Sequence, residues 1–413
     1  MPSALAVEPV FFPLDEELGL LPGALSPTLA AGVTRLASWM PFARATEQVT
    51  FFWGVRLSDA TVRRQTEAAG AAYVAVQTAA VARLERDAPP APPGPAMQQL
   101  SADGAMVPLV NGVWAEVKTL AIGTVSPPEG RDAPAAPHAT DLSYFSRLAD
   151  AATFSRLAQV ETHRRGVVRA GTVVAVTDGS AWLQGVVDDQ RRDAVRILDF
   201  PHAVGHLATA GQATLGAGTP AMAAWLSAQA YTLTQGDPAD VLAALQALPT
   251  ATAPDPLAAA AARDATHGYL TARWPMIQYA TFRAAGYPIG SGAVESANKL
   301  VVEVRLKGGG MHWARRHVDP MVALRTVACA DRWDEAWPDL VAHRRACRAA
   351  RPSRRRTPAT APPPAPPSVP PPRRRPHAPA ISAPPPLRSG RLHPWRRPFS
   401  TAQRIRQAAH AKL

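Results

Sequence analysis

The sequence predicts an α/β fold, α+β over the chain as a whole, with strands clustered between residues 97 and 202 and helices around them. Three features carry that expectation. TVVAVT at 172–177 is an unbroken apolar run rich in β-branched residues, the pattern of a central strand buried on both faces. VWAEVKTLAIGTV at 113–125 has the alternation of a half-buried strand. Residues 203–285 are Ala-rich at helical spacing and carry few strand signals.

The remaining elements follow in chain order. Residues 1–40 contain several Pro and Gly and read as short helices and loops. Residues 42–70 read as helix, turn, helix: the first helix ends near Trp53, Gly54 permits the turn, and Ser58 is an N-cap for the second. Arg63 and Arg64 lie on that second helix, where a helix-turn-helix would set them against DNA; an ordinary helical hairpin with solvated arginines accounts for them equally well. APPAPPGPA at 88–96 is a Pro-rich break. A strand over 98–107 follows, with Asp103-Gly104 inside it or at its end. Residues 126–140 form a Pro- and Gly-rich loop, 141–165 are expected to be helical, and 194–198 read as a further strand. After the segment YPIGSGAVESANK, residues 293–306 and 318–349 read as helices. Beyond Arg351 the Pro/Arg-rich composition cannot bury enough apolar surface to fold, so a disordered tail is expected. The expected organisation is a helical region at 1–87, a first sheet-bearing part at 97–202, a helical insertion at 203–285, a second part at 286–349 and a basic tail at 350–413.

The formal charge of +12 is unevenly distributed. From residue 341 onward there are 16 Arg, 1 Lys and no Asp or Glu, a charge of +17; residues 1–340 therefore carry −5, the difference between the two. A basic tail beside a mildly acidic body points to a polyanionic partner, most simply nucleic acid. Cys329 and Cys347 read as free thiols rather than a disulfide framework or a zinc site. No apolar run is long enough to cross a bilayer, and the first residues do not read as a secretion signal.

Three acidic residues share a context. Asp103 and Asp178 each end or interrupt a strand and precede a Gly, and Glu295 sits just inside a helix opened by Gly290-Ser291-Gly292. A carboxylate at the carboxyl end of a central strand points into the crevice where α/β sheets bind ligands. Singly each has a plainer explanation: Asp-Gly marks ordinary turns, and a first-turn Glu complements the helix dipole. Their conjunction and order raise the odds of a shared role.

The segments ADGAMV (102–107), VTDGSAW (176–182) and GSGAVE (290–295), in this order, resemble the three catalytic blocks of DDE transposases with a ribonuclease H-like fold. Within that class the chain most resembles bacterial insertion-sequence transposases of the mutator-like group. LDFPHA (198–203) is similar to their short motif ending in His, RLKGGGMHW (305–313) to the block after the glutamate, and PLDEELGL (13–20) to their opening. The resemblance covers residues 10–340 and is most specific from Glu295 through Trp313.

The resemblance implies a ribonuclease H-like mixed sheet flanked by helices, with an all-α insertion and a helical N-terminal DNA-binding region. It makes Asp103, Asp178 and Glu295 a catalytic triad holding two Mg²⁺ ions, with Mn²⁺ able to substitute. Hard divalent ions take oxygen ligands, which accounts for carboxylates rather than His or Cys. Asp199 is the rival for the second aspartate; Asp178 is preferred because it directly follows the apolar strand. His202 becomes adjacent to the site, although a lone His is as readily a structural hydrogen-bonder. Lys299, Arg305 and Lys307 are expected to hold DNA phosphates, or else to form a solvated basic face. Trp313 reads as a packing aromatic. The implied activity is cleavage at the ends of an insertion sequence and strand transfer into target double-stranded DNA, by a homodimer or higher oligomer in the bacterial cytoplasm and nucleoid, with no membrane role. The rivals are a catalytically decayed or domesticated DNA-binding protein and another ribonuclease H-like nuclease.

Overall fold

The computed structural model describes residues 25–126 and 137–350. The opening PLDEELGL segment, most of the 126–140 loop and nearly all of the basic tail lie outside the described residues. Helices and one five-stranded mixed sheet alternate along the chain, in the order β3-β2-β1-β4-β5.

Strands β1 (Met97–Pro108), β2 (Trp114–Val125) and β3 (Ala139–Arg147) form an antiparallel meander. Strand β4 (Thr172–Thr177) lies parallel to β1, and β5 (Val195–Leu198) lies parallel to β4. Parallel neighbours need a crossover connection. Between β4 and β5 it is helix α5 (Ala181–Arg191), which includes Trp182, and before β4 it is α4 (Ala151–Arg164). The TVVAVT run has Val173 to Thr177 buried, as a strand covered on both faces requires.

The helix expected over 141–165 is corrected by the structure. Its first part is strand β3, and the helix begins only at Ala151, where the Asp150 side chain accepts from the Thr153 amide. Residues 143–147 are buried on both faces against β2, so they show no period-two alternation to reveal a strand.

The two faces of the sheet carry different layers. One, with Leu100, Ala102, Leu120, Ile122, Val173 and Ala175, packs on α4 and α5. The other, with Ala105, Val107, Val117 and Ala121 from β1 and β2, packs on the segment after Ser291. That segment runs as α11 (Gly292–Ala297), a π-helical stretch (Asn298–Glu303) and a final α turn (Val304–Leu306). On the same side Val174, Val176 and Ile197 pack on the all-α stretch, and Leu198 at the end of β5 joins the same cluster. That stretch comprises α6 (Phe200–Leu215), α7 (Pro220–Gln235), α8 (Pro238–Gln246), α9 (Pro256–Thr271) and α10 (Tyr279–Ala284).

The N-terminal helices are α1 (Pro27–Trp39), α2 (Phe42–Trp53) and α3 (Asp59–Asp87). Gly54 closes α2 in the left-handed region at φ 66°, and the Ser58 side chain caps α3 by accepting from the Thr61 amide. These helices share cores with α12 (Arg315–Cys329) and α13 (Trp333–Ala349). Among the described residues, no helix is long and apolar enough to cross a membrane.

Candidate active site at the ends of the parallel strands

The register of the parallel strands places the aspartates. β1 pairs with β4 as Met97↔Thr172 through Leu100↔Ala175, a constant offset of 75 residues. Continued three residues, that offset aligns Asp103 with Asp178. β4 pairs with β5 as Val174↔Val195 through Thr177↔Leu198, an offset of 21, and one residue further aligns Asp178 with Asp199. Asp103 lies inside β1 beyond the end of its pairing with β4, close enough to Asp178 for the two charges to interact, and the Asp199 amide donates to the Thr177 carbonyl (2.7 Å) just before Asp178. Asp103 follows the alternation of Ala105 and Val107, and Asp178 that of Val174 and Val176. Both therefore face the side of the sheet that carries the Glu295 helix and the all-α stretch.

Asp103 is half-buried. Its Oδ1 accepts from the Gly104 amide (2.7 Å) and its Oδ2 from Asn298 Nδ2 (2.8 Å). Burial raises its pKa above the ordinary value, and the negative charges of Asp178 and Glu116 add to the rise, while the two hydrogen bonds oppose it. Asp178 Oδ1 accepts from the Ser180 amide (2.7 Å).

Asp199 is 4% exposed and its carboxylate is engaged twice by backbone. Oδ2 caps α6 by accepting from the His202 amide (2.9 Å), and Oδ1 accepts from the Ser291 amide (2.6 Å). A second anchor for the same loop comes from β1, where Gln99 Nε2 donates to the Gly290 carbonyl (3.1 Å). The loop that opens the Glu295 helix is thereby fixed to two strands. Asp199 is a holder of that loop, and the two carboxylates left facing one another are Asp103 and Asp178.

Glu295 is exposed, and its side chain makes no hydrogen bond or ion pair with the described residues. It lies one turn before Asn298, the residue that touches Asp103, and so on the same helical face. Glu295 also lines an open cleft of about 430 Å³ with Asp199, Pro201, His202, Gly205, His206 and Thr209. His202 is exposed in that cleft with its ring centroid 5.0 Å from that of His206. The His206 pKa is lowered by burial and by the neighbouring His202 and Arg273.

The basic residues divide. Arg63, Arg64 and Lys299 are exposed. Lys307 is half-buried and pairs with Glu303 at 2.6 Å. Arg305 is corrected from a phosphate contact to a core residue. It is 2% exposed, donates from Nε to the Ala37 carbonyl (2.9 Å), and lies 4.8 Å from the Phe42 ring centre and 5.1 Å from that of Trp313. A guanidinium so enclosed cannot reach an external phosphate.

Several residues escaped sequence reasoning: Gln99, Asn298, His206, Tyr269 and Arg273. Only His206 had a local signal, its position one turn beyond His202. The others are recruited by tertiary packing from 91 to 195 positions away from the residues they contact. The π-helical stretch beginning at Asn298 shifts the side-chain phase of this helix by the site, a common placement for such bulges.

Whether the residues suit divalent ions can be judged from their chemistry. The sheet brings together two half-buried carboxylates of like charge, Asp103 within β1 and Asp178 just past β4, and Asn298, 6% exposed, keeps a buried Oδ1 with no hydrogen-bond partner. Hard oxygen donors with uncompensated negative charge fit Mg²⁺ or Mn²⁺. Among the described residues, no group of three or more His, Cys, Asp or Glu side chains is close enough to hold one ion. The fit therefore rests on the aspartate pair, with Glu295 as a third carboxylate outside the cluster. No protein-family model matches this chain, and no curated protein matches it.

Proposed function

We propose that this chain is a DDE transposase of a bacterial insertion sequence, cutting DNA at the element's ends and joining them to target DNA with two divalent metal ions. The closeness of Asp103 in β1 to Asp178 just past the end of the neighbouring β4, under a helix whose Asn298 bonds Asp103 and whose Glu295 comes one turn earlier, is the observation that carries it. The strand order, an antiparallel meander followed by two parallel strands, supports a ribonuclease H-like catalytic domain.

Asp103 and Asp178 would hold the ions, and Glu295 would complete the set from across the cleft. Bound there, Mg²⁺ or Mn²⁺ supplies charge neutralisation at the phosphate and activates the attacking oxygen. Asn298 orients the Asp103 carboxylate. Gln99 and Asp199 hold the loop from which the Glu295 helix starts. His202 stands exposed in the cleft, placed to donate to a phosphate oxygen. Arg63, Arg64 and Lys299, all exposed, are the basic side chains offered to the DNA backbone. Two element ends must be joined, so the working form is a dimer or larger.

The test uses the purified full chain on the DNA that flanks its coding sequence. Strand nicking that requires Mg²⁺ or Mn²⁺ is expected. Asp103→Ala, Asp178→Ala and Glu295→Ala should each abolish it while gel-shift affinity stays near that of the parent chain. Normal cleavage by any of the three would reject the assignment. A second reading, a decayed or domesticated DNA-binding protein, is favoured by the exposed position of Glu295, which lines the cleft beside Asp199, His202 and His206. It predicts DNA binding with no cleavage under any divalent ion.

A further inference from the structure

We propose that Tyr269 and Arg273 are positioning residues for Asp178, a clamp on its backbone reaching in from the far end of the all-α stretch. The proposal rests on Asp178 being a metal-holding carboxylate.

Asp178 is the first residue beyond the end of β4, so strand pairing does not fix its peptide unit. The two carbonyls that follow are instead held from 91 and 94 residues away. The Tyr269 hydroxyl donates to the Asp178 carbonyl. Arg273 donates to the Gly179 carbonyl from both Nε (3.2 Å) and Nη2 (2.8 Å). With the Ser180 amide on Oδ1, both the carboxylate and its backbone have fixed partners. Gly179 permits this approach: its φ of 76° suits glycine, and a Cβ there would run into Arg273.

The donors are themselves held. The Arg273 guanidinium carbon lies 3.8 Å from the Tyr269 ring centre, and the His206 ring stacks on Tyr269 at 3.8 Å and 18°. Arg273 Nη1 also donates to the Tyr269 carbonyl (3.2 Å). Arg273 forms no ion pair with a carboxylate among the described residues, so its charge is directed at the Asp178 turn. A planar guanidinium stacked on one face and forked onto a carbonyl loses little further freedom in holding it.

Outer partners that orient metal ligands typically contribute 10- to 100-fold to metal affinity, and the clamp is expected to act at the lower end of that range. Mn²⁺ affinity is measured by titration calorimetry and by electron paramagnetic resonance of free Mn²⁺, on the full chain without DNA. Asp178→Asn defines loss of the ligand itself. Tyr269→Phe removes one hydroxyl and keeps the stack; Arg273→Ala removes the fork. Each should weaken Mn²⁺ binding about tenfold with melting temperatures near that of the parent chain. Arg283→Ala, which loses a comparable bond to the Thr234 carbonyl on the same stretch, should leave affinity unchanged. Should Arg273→Ala fail to fold, Tyr269→Phe carries the test alone. Parent-like affinity in the clamp variants beside a loss in Asp178→Asn would overturn the clamp and spare the site. A parent chain that binds no Mn²⁺, or an Asp178→Asn chain that binds it normally, would overturn both.

Discussion

Asp199 Oδ1 accepts a 2.6 Å hydrogen bond from the Ser291 amide, joining the end of β5 to a loop 92 residues later in the chain. The same carboxylate caps α6, so one side chain fixes both the floor of the cleft and the start of the Glu295 helix. Asp199→Ala removes a cap, at about 1 kcal/mol, and strips the Ser291 amide of its partner, at about 1–3 kcal/mol. A combined loss of about 2–4 kcal/mol is expected in denaturant unfolding. Asp199→Asn keeps one acceptor oxygen and should lose less than half of that. Equal losses in the two variants would show that the oxygen kept by Asn holds neither backbone amide.

Asp103 gives the site a pH signature. Folding raises its pKa, chiefly through burial, so the native chain keeps this proton to higher pH than the unfolded chain does. Native stability is therefore full below the ordinary carboxylate value of 3.8 and declines as pH rises through the raised native value. Asp103→Asn removes the ionisation. Without metal it should melt above the parent chain at pH 7, and the gap should close as pH falls towards 3.8. Added Mg²⁺ should raise the melting temperature of the parent and leave Asp103→Asn unmoved. A variant less stable than the parent at pH 7 would contradict the destabilising charge.

Lys299 and Arg305, six residues apart on one helical segment, should separate in the salt dependence of DNA binding. Each phosphate neutralised contributes about 0.9 to the slope of log affinity against log salt. Lys299 is exposed, and Lys299→Ala should lower the slope by about that amount. Arg305 is enclosed by Phe42 and Trp313, so Arg305→Ala should leave the slope intact. Its effect should be on stability, a loss of about 2–5 kcal/mol of the kind that follows truncation of a large core side chain. A reduced slope for Arg305→Ala, in a chain that still folds, would place that guanidinium on the DNA after all.

The contrast between these two residues marks what sequence patterns reveal. The TVVAVT run locates β4 and sets Asp178 just past its end, because an apolar run and its break are local. The spacings of 75 and 21 residues between aspartates equal the offsets of the neighbouring strands, yet they acquire meaning only once the partners of β4 are known. Asn298 is invisible beforehand, since its role is defined by Asp103 across the fold. Arg305 misleads because a basic side chain is assigned to solvent by default, and its burial depends on aromatics from α2 and a later loop. β3 misleads for the opposite reason: burial on both faces erases the alternation that marks a strand.

The seam between the N-terminal helices and the part that carries Glu295 can be tested at Gly70. This glycine lies inside α3, where alanine would ordinarily stabilise the helix by about 1 kcal/mol. Here a Cβ would fall on the carbonyl of Pro320 in α12, well inside van der Waals contact. Backbone atoms in a second helix cannot rotate aside as a side chain can, so the two helices must separate. Overpacking of a dense core costs about 1–3 kcal/mol, and rigid backbone on the far side places this case at or above the upper end. The clash therefore outweighs the propensity gain, and Gly70→Ala should lose about 2 kcal/mol in denaturant unfolding. Gly54→Ala, by contrast, meets no atom within 4 Å, and its cost comes only from the left-handed φ of 66°. If Gly70→Ala were neutral or stabilising, α3 and α12 would not be in direct backbone contact, and the N-terminal helices would be free to move independently of the Glu295 helix.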